Sequence, residues 1–278
     1  MADSKDWAGE LGTTWADTID EMDAQLAPAT AHGLTALAAQ PGERIIDLGC
    51  GGGPTTLRIA EAVGQTGHAL GVDISADLAA IASTRGAALS QMRIKVADAA
   101  THDFGETRFD ALFSRFGCMF FDKPVAAFQN LHKALKPAGR VVLCVWAEPK
   151  YNNWAMIPAS AGNEVLGPVE KLPPGAPGPF GWATPDIFLP ILEGAGFHEI
   201  TYHEHSVRMA SGYGAAPDPV DRAIALIERI GPLASRLKEE PKGTIDLLRP
   251  TLKEKLTPLV EDDHVVYSGM IRVIQAIA

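Results

Sequence analysis

The stretch Arg44-Ile45-Ile46-Asp47-Leu48-Gly49-Cys50-Gly51-Gly52-Gly53-Pro54 decides the fold. It opens as a short apolar run, turns through a cluster of glycines, and enters a segment in which Leu57, Ala60 and Val63 recur at helical spacing. Pro54 falls near the first turn of that helix, where a missing N–H costs nothing. A second apolar run, His68 to Asp73, follows, and strand, helix, strand implies a parallel βαβ unit. Glycines in such a turn adopt positive φ and let the backbone approach a ligand, while the free N–H groups of the helix start attract an anionic group.

Outward from this unit the alternation continues. Ser75 reads as the N-cap of a helix carrying Leu78, Ile81 and Leu89, and strands are expected near Arg93 to Ala97 and at Phe109 to Ser114. A helix from about Asp122 to Lys136 places Val125, Phe128, Leu131 and Leu135 on one face, and Pro137 and Gly139 end it. The unbroken apolar run Val141 to Trp146 within the strand Arg140 to Trp146 suits a strand buried on both faces. The pattern predicts a doubly wound α/β sheet.

Beyond Ala147 the composition changes: Tyr151 to Trp182 is rich in Pro, Gly and aromatics and reads as an insertion over the sheet. Thr184-Pro185-Asp186 starts a helix that Gly194 and Gly196 close, followed by a strand from Phe197 to about Met209. A loosely helical region runs from about Pro217 to Pro258, and His264 to Ile277 forms a last strand. Ahead of the sheet, Trp15, Ile19, Met22 and Leu26 line one face of a helix. The expected organisation is a single domain: an N-terminal helical lid (1–40), a core (41–148), an inserted lid (149–183), more core (184–209), a helical insertion (210–261) and the final strand (262–278).

Bulk properties narrow the function. With 34 acidic against 24 basic residues the formal charge is -10, which repels phosphate backbones and anionic lipid, so no nucleic-acid partner is expected. MADSKDWAGE carries three acids and no apolar run, and no stretch approaches a membrane-spanning length, so the chain is expected to be cytoplasmic. Cys50, Cys118 and Cys144 are scattered among apolar residues and glycines and read as buried thiols, not bridges or a metal site. No metal is expected.

A dinucleotide fingerprint wants G-x-G-x-x-G, but counting from Gly49 the third glycine position is Pro54. The pattern Asp47, Gly49, Gly51, Gly53 instead resembles motif I of class I S-adenosylmethionine-dependent methyltransferases. Asp73 at the end of strand two, Val96-Ala97-Asp98-Ala99 after strand three and FDALFSRFGCMFF after strand four follow in that family's order. The likeness covers about residues 40 to 148. The run Leu135-Lys136-Pro137-Ala138-Gly139-Arg140 is similar to the bacterial small-molecule group related to ubiquinone and menaquinone methyltransferases, which often has Pro-Gly-Gly at that turn. The resemblance implies a Rossmann-like seven-stranded sheet, mostly parallel with an antiparallel last strand.

It also implies S-adenosylmethionine as cofactor and S-adenosylhomocysteine as product. The backbone of Gly49 and Gly51 would meet the methionine end, Asp73 and Ile74 the ribose and adenine, Asp98 and Ala99 the adenine edge, Ser114 the amino-acid end and Arg115 a carboxylate, with Asp47 and Cys50 of motif I also among the cofactor-binding residues. Read singly, Asp73 is equally a cap for the helix after Ser75, and Asp98 an ordinary turn residue. Trp15, Phe116, Trp146, Tyr151 and Trp154 lie near strand ends or in the insertion and are candidate walls for an apolar acceptor; plain core packing is their alternative role.

No general base stands out among eight histidines, although His32 and His102 fall near the expected cleft, and His203 and His205 share a strand face without an evident third ligand. An already nucleophilic acceptor needs little beyond alignment. Ser114-Arg115-Phe116-Gly117 stands where DNA amino-methyltransferases carry Asn/Asp-Pro-Pro-aromatic, and Trp146-Ala147-Glu148 follows strand five where magnesium-dependent catechol-type enzymes carry an Asp-Asn pair. The expected reaction is methyl transfer to oxygen, nitrogen or carbon of a small, fairly apolar, aromatic or quinone-like acceptor. The alternatives are a nicotinamide-dependent oxidoreductase, against which the absent third glycine and absent Tyr-x-x-x-Lys pair argue, and a non-catalytic cofactor-binding module.

Overall fold

In the computed structural model, which describes residues 4–105, 108–170, 172–214 and 216–278, two short helices and one of 19 residues precede the sheet: α1 (Ser4–Trp7), α2 (Glu10–Ala16) and α3 (Ile19–Leu37). The βα alternation follows as β1 (Arg44–Leu48), α4 (Pro54–Val63), β2 (His68–Asp73), α5 (Ala76–Arg85), β3 (Met92–Val96), β4 (Phe109–Arg115), α6 (Pro124–Ala134) and β5 (Leu135–Trp146). Next come α7 (Asn153–Leu166), α8 (Pro185–Gly194), β6 (His198–Ser211), α9 (Pro219–Arg229), α10 (Pro232–Leu237), α11 (Thr244–Leu256), the two-residue β7 (Val260–Glu261) and β8 (His264–Ile277).

The sheet runs β3-β2-β1-β4-β5-β8-β6, with β7 paired to β8 alone. The first five strands of that order are parallel, and β8 is antiparallel to both β5 and β6. The result is the expected Rossmann-like, mostly parallel sheet, extended by the two-residue β7. The order reverses between β1 and β4, and in open α/β sheets the crevice outside the carboxyl ends at such a point is where ligands bind.

One face of the sheet is covered by α3, which comes so close that a Cβ on Gly33 would lie 3.1 Å from the Phe113 ring. Phe113, Cys144 and Trp146 alternate onto this side, and Ile45, Ile46, Leu112, Val142, Leu143 and Val145 are fully buried. Strands buried on both faces need no polar alternation, which is why the apolar run at β5 was readable.

Several boundaries differ from the sequence reading, each for a local reason. Helix α5 stops at Arg85, so Leu89 reaches the core from the turn that follows. Helix α6 ends at Ala134, and Leu135 already pairs with Phe109 in the sheet; Val125 sits 37% exposed, off the buried face. Ala138 takes φ +61, the left-handed conformation a glycine adopts freely, and its N–H donates to the Ala278 carbonyl. The Pro/Gly-rich insertion contains a helix, α7, despite Pro158. Thr184 has the extended backbone of an N-cap, but its side chain makes no capping bond.

Candidate functional site

The glycine loop leaves β1 at the carboxyl edge. The N–H groups of Gly49 and Cys50 both donate to the Val72 carbonyl, lacing the loop to β2. Gly51 takes φ +55, and a Cβ placed there would find nothing within 4 Å, so the loop presents open backbone at that point. Gly49 is pressed against the turn after β4: a Cβ on Gly117 would lie 2.7 Å from the Leu48 carbonyl and 2.9 Å from Gly49 Cα. The Cys50 side chain is buried, and burial pushes its thiol well above the ordinary range, so it stays protonated.

The acids sit around this loop in different ways. Asp73 Oδ2 accepts from the Gly51 N–H at 2.7 Å and Oδ1 from the Ser75 N–H at 2.9 Å. Burial raises its pKa, and the backbone donors of Ser75, Gly51 and Ile74 act in the opposite direction. Asp47 is 1% exposed; its Oδ2 accepts from the hydroxyls of Thr55 and Thr56, both at 2.6 Å, while its Oδ1 has no hydrogen-bond partner. Burial pushes its pKa up to about 6. Asp98 Oδ1 accepts from the Ala100 N–H, and the neighbouring Ala99 carbonyl accepts from Asn130, which fixes the turn beyond β3. Ile74 is half-buried between the Asp73 and Ser75 positions.

Ser114 and Arg115 end β4. The Ser114 hydroxyl donates to the Leu48 carbonyl at 2.9 Å and accepts from the Cys118 N–H at 3.2 Å, so it ties the ends of β1 and β4 together in full burial. Arg115 points to α3, where Nη1 donates to Thr30 Oγ1 at 2.8 Å and Nη2 lies 3.8 Å from Asp23 Oδ1. Burial lowers the Arg115 pKa, and the charges of Asp23 and Asp47 oppose this. Neither Asp23 nor Thr30 stands in a local motif; only the docking of α3 brings them here.

Three of the five candidate acceptor residues come together. Phe116 and Trp146 stack with centroids 4.3 Å apart and planes 5° apart, Trp154 follows at 5.0 Å from Trp146, and Phe180 stacks on Trp154 at 5.6 Å. Phe116 holds φ +64, a left-handed conformation that is costly for a bulky residue and that collects at functional sites. Asn152, fully buried, accepts from Trp154 Nε1 at 3.3 Å and from the Met270 N–H at 3.1 Å, fastening the stack to β8. Trp15 joins a different cluster, edge-on to Trp7, which in turn meets Phe120. Tyr151 stays 43% exposed under the Lys150 ammonium, away from the stack. Trp182 packs into the core on Phe128.

The N-terminal helices lie over the same edge. Thr13 donates to Asp77 at 2.7 Å, Gly12 packs on Ser75, and Ile19 on Gly52. Arg85 grips Asp20, Asp23 and the Gly52 carbonyl. Of the histidines, His32 on α3 stacks on His205 at 4.2 Å, whereas His102 sits beside Phe104. Among the described residues no three His, Cys, Asp or Glu side chains gather as a metal site, and no helix is long and apolar enough to cross a membrane.

Residues 45–139 match a family described as a methyltransferase domain. The chain is 28% identical over 118 residues to demethylmenaquinone methyltransferase of Staphylococcus epidermidis, covering 42% of this chain and 49% of that protein. It is 26% identical over 173 residues to phosphoethanolamine N-methyltransferase 1 of Triticum aestivum, covering 61% of this chain and 31% of that protein. The matches thus span half or less of those relatives' lengths. Phosphoethanolamine N-methyltransferase 2 of Haemonchus contortus, solved with phosphomonomethylethanolamine and S-adenosylhomocysteine, shares the fold at TM-score 0.51 and 19% identity, over 89% of this chain and 52% of that one. Fold, glycine loop and family match agree: residues 45–139 match a methyltransferase domain, and the chain is similar to demethylmenaquinone methyltransferases.

Proposed function

We propose that the chain transfers a methyl group from S-adenosylmethionine to a small acceptor held against the Phe116–Trp146–Trp154–Phe180 stack. The observation that carries this reading is the open backbone at Gly51 with the Asp73 carboxylate bonded to its N–H, at the carboxyl edge where the strand order reverses. The residues suit such a cofactor. Both Asp73 oxygens keep a further lone pair for ribose hydroxyls. Asp98 and Ala99 border the adenine edge, Arg115 offers a guanidinium to a carboxylate, and the unpaired Asp47 Oδ1 is an acceptor awaiting a donor.

Bound S-adenosylmethionine supplies a methyl group activated by a sulfonium. The chain's part is to align and to exclude water, which for a nucleophilic acceptor supplies much of the acceleration. The aromatic stack gives an apolar wall suited to a flat or apolar acceptor, which favours a demethylmenaquinone-like compound over a phosphoethanolamine-like one. The N-terminal segment 1–40 and the insertion 149–183 act as lids in this reading. The charge of -10 argues for a small-molecule substrate over nucleic acid and, with no apolar spanning helix among the described residues, for a cytoplasmic reaction.

Calorimetric titration with S-adenosylmethionine, S-adenosylhomocysteine and NADH tests the cofactor. Selective binding of the two sulfur compounds is expected, weakened in Asp73→Asn by about 1–3 kcal/mol for lost charged hydrogen bonds. Binding of NADH alone would overturn the reading. Release of S-adenosylhomocysteine with a panel of quinols, phenols and amines separates an enzyme from a binding module.

A further inference from the structure

Asp23 lies on α3, outside the segment that matches the methyltransferase family. Its Oδ2 is held by Arg85 Nη1 at 2.7 Å, and the same nitrogen donates to the Gly52 carbonyl at 3.0 Å, so Arg85 keeps this carboxylate beside the glycine loop. Its Oδ1 is buried, accepts no hydrogen bond, and stands 3.8 Å from Arg115 Nη2, beyond hydrogen-bond reach. Asp47 Oδ1, in a side chain 1% exposed, is the second buried carboxylate oxygen without a partner at this edge. Two buried carboxylate oxygens without a hydrogen bond therefore lie at this edge, one of them ion-paired at 3.8 Å with the Arg115 guanidinium and the other within reach of its charge.

Buried carboxylate oxygens left without a hydrogen bond are disfavoured, and a ligand that donates to them gains affinity. The complement of two carboxylate oxygens and a guanidinium is a zwitterion: an ammonium offers three donors to the acids, and a carboxylate accepts from the arginine. We propose that Asp23 binds the α-ammonium group of the cofactor's amino-acid end, together with Asp47, while Arg115 takes the carboxylate. This rests on the S-adenosylmethionine reading above. It makes the N-terminal helix part of the cofactor site as well as its cover, since α3 contributes the second acid and Thr30, which orients Arg115.

The test compares three ligands by calorimetry at pH 7.5: S-adenosylhomocysteine, its analogue lacking the α-amino group, and 5′-methylthioadenosine, which lacks the whole amino-acid end. On the wild-type chain the deaminated analogue binds about tenfold or more weakly than S-adenosylhomocysteine, as expected for lost hydrogen bonds to charged groups. On Asp23→Asn, S-adenosylhomocysteine loses a similar factor, 5′-methylthioadenosine keeps its wild-type affinity, and the gap between S-adenosylhomocysteine and the deaminated analogue narrows. Asp20→Asn, which removes the other, solvent-exposed partner of Arg85, leaves all three affinities unchanged.

If Asp23→Asn weakens all three ligands alike, or none, Asp23 is a structural tie between α3 and Arg85 and the inference fails while the cofactor reading stands. If the wild-type chain binds none of the three, the cofactor reading fails and takes the inference with it. Should Asp23→Asn not fold, equal wild-type affinities for S-adenosylhomocysteine and its deaminated analogue overturn the proposal.

Discussion

Replacing Asp47 with Asn should change how stability depends on pH. In an unfolded chain an aspartate titrates near 4. In the fold, burial raises Asp47 to about 6 against the opposing pull of the Thr55 and Thr56 hydroxyls. The folded protein therefore takes up this proton more readily than the unfolded one. For an acid whose folded pKa is raised, folding is most favoured below the unfolded pKa, where both states are protonated, and stability erodes as pH rises through the folded value. A rise of about two pH units at about 1.4 kcal/mol per unit gives an erosion of about 3 kcal/mol between pH 4 and pH 7.

Urea unfolding at intervals from pH 4 to pH 8, run on wild type and Asp47→Asn, isolates this contribution. Glu43, Asp110 and Glu148 have lowered pKa values and push stability upward with pH, but they are common to both proteins and cancel in the difference. The wild-type stability minus that of the variant should fall by about 3 kcal/mol from pH 4 and level off above about 7. Saturating S-adenosylhomocysteine should move the wild-type step to lower pH, because an ammonium at Oδ1 favours the ionised acid. Parallel profiles for the two proteins would show that Asp47 titrates normally and that the burial argument is wrong.

Gly117→Ala should destabilise the protein by about 1–3 kcal/mol and weaken cofactor binding. The new methyl would press on the Leu48 carbonyl and Gly49 Cα, both backbone, so neither side can yield cheaply; an unchanged urea midpoint would contradict the packing. His205→Gln should flatten the loss of stability below about pH 6.5. The His205 pKa is lowered by burial, and next by the charges of His32 and His203, so wild type is weakened as the unfolded chain takes up that proton first, and thermal midpoints at pH 5.5 and 7.5 measure the difference.

Much of the sheet was legible because its information is local. The glycine cluster after Ile45-Ile46, the helical spacing of Leu57, Ala60 and Val63, and the run Val141 to Trp146 each report one element from its own residues. Helix α7 was not legible, since Pro158 and the flanking Pro/Gly-rich composition mask a segment that buries Ala155, Ala161 and Gly162 and packs against α10 and α11. The end of α6 was misread because Leu135 continues the helical period while already pairing in the sheet; tertiary pairing overrode propensity there.

For the site, the sequence by itself determined the glycine loop, the acids at the ends of β2 and β3, and the aromatic character of the strand ends, because spacing along one chain segment sets which groups leave the same sheet edge. Only the tertiary structure decided that Phe116, Trp146, Trp154 and Phe180 form one stack while Tyr151 stands outside it. It alone brought Asp23 and Thr30 of α3 to Arg115, and His32 to His205. These contacts join residues far apart in the chain, and their distances follow from how α3 and the insertion pack on the sheet, which no local periodicity encodes.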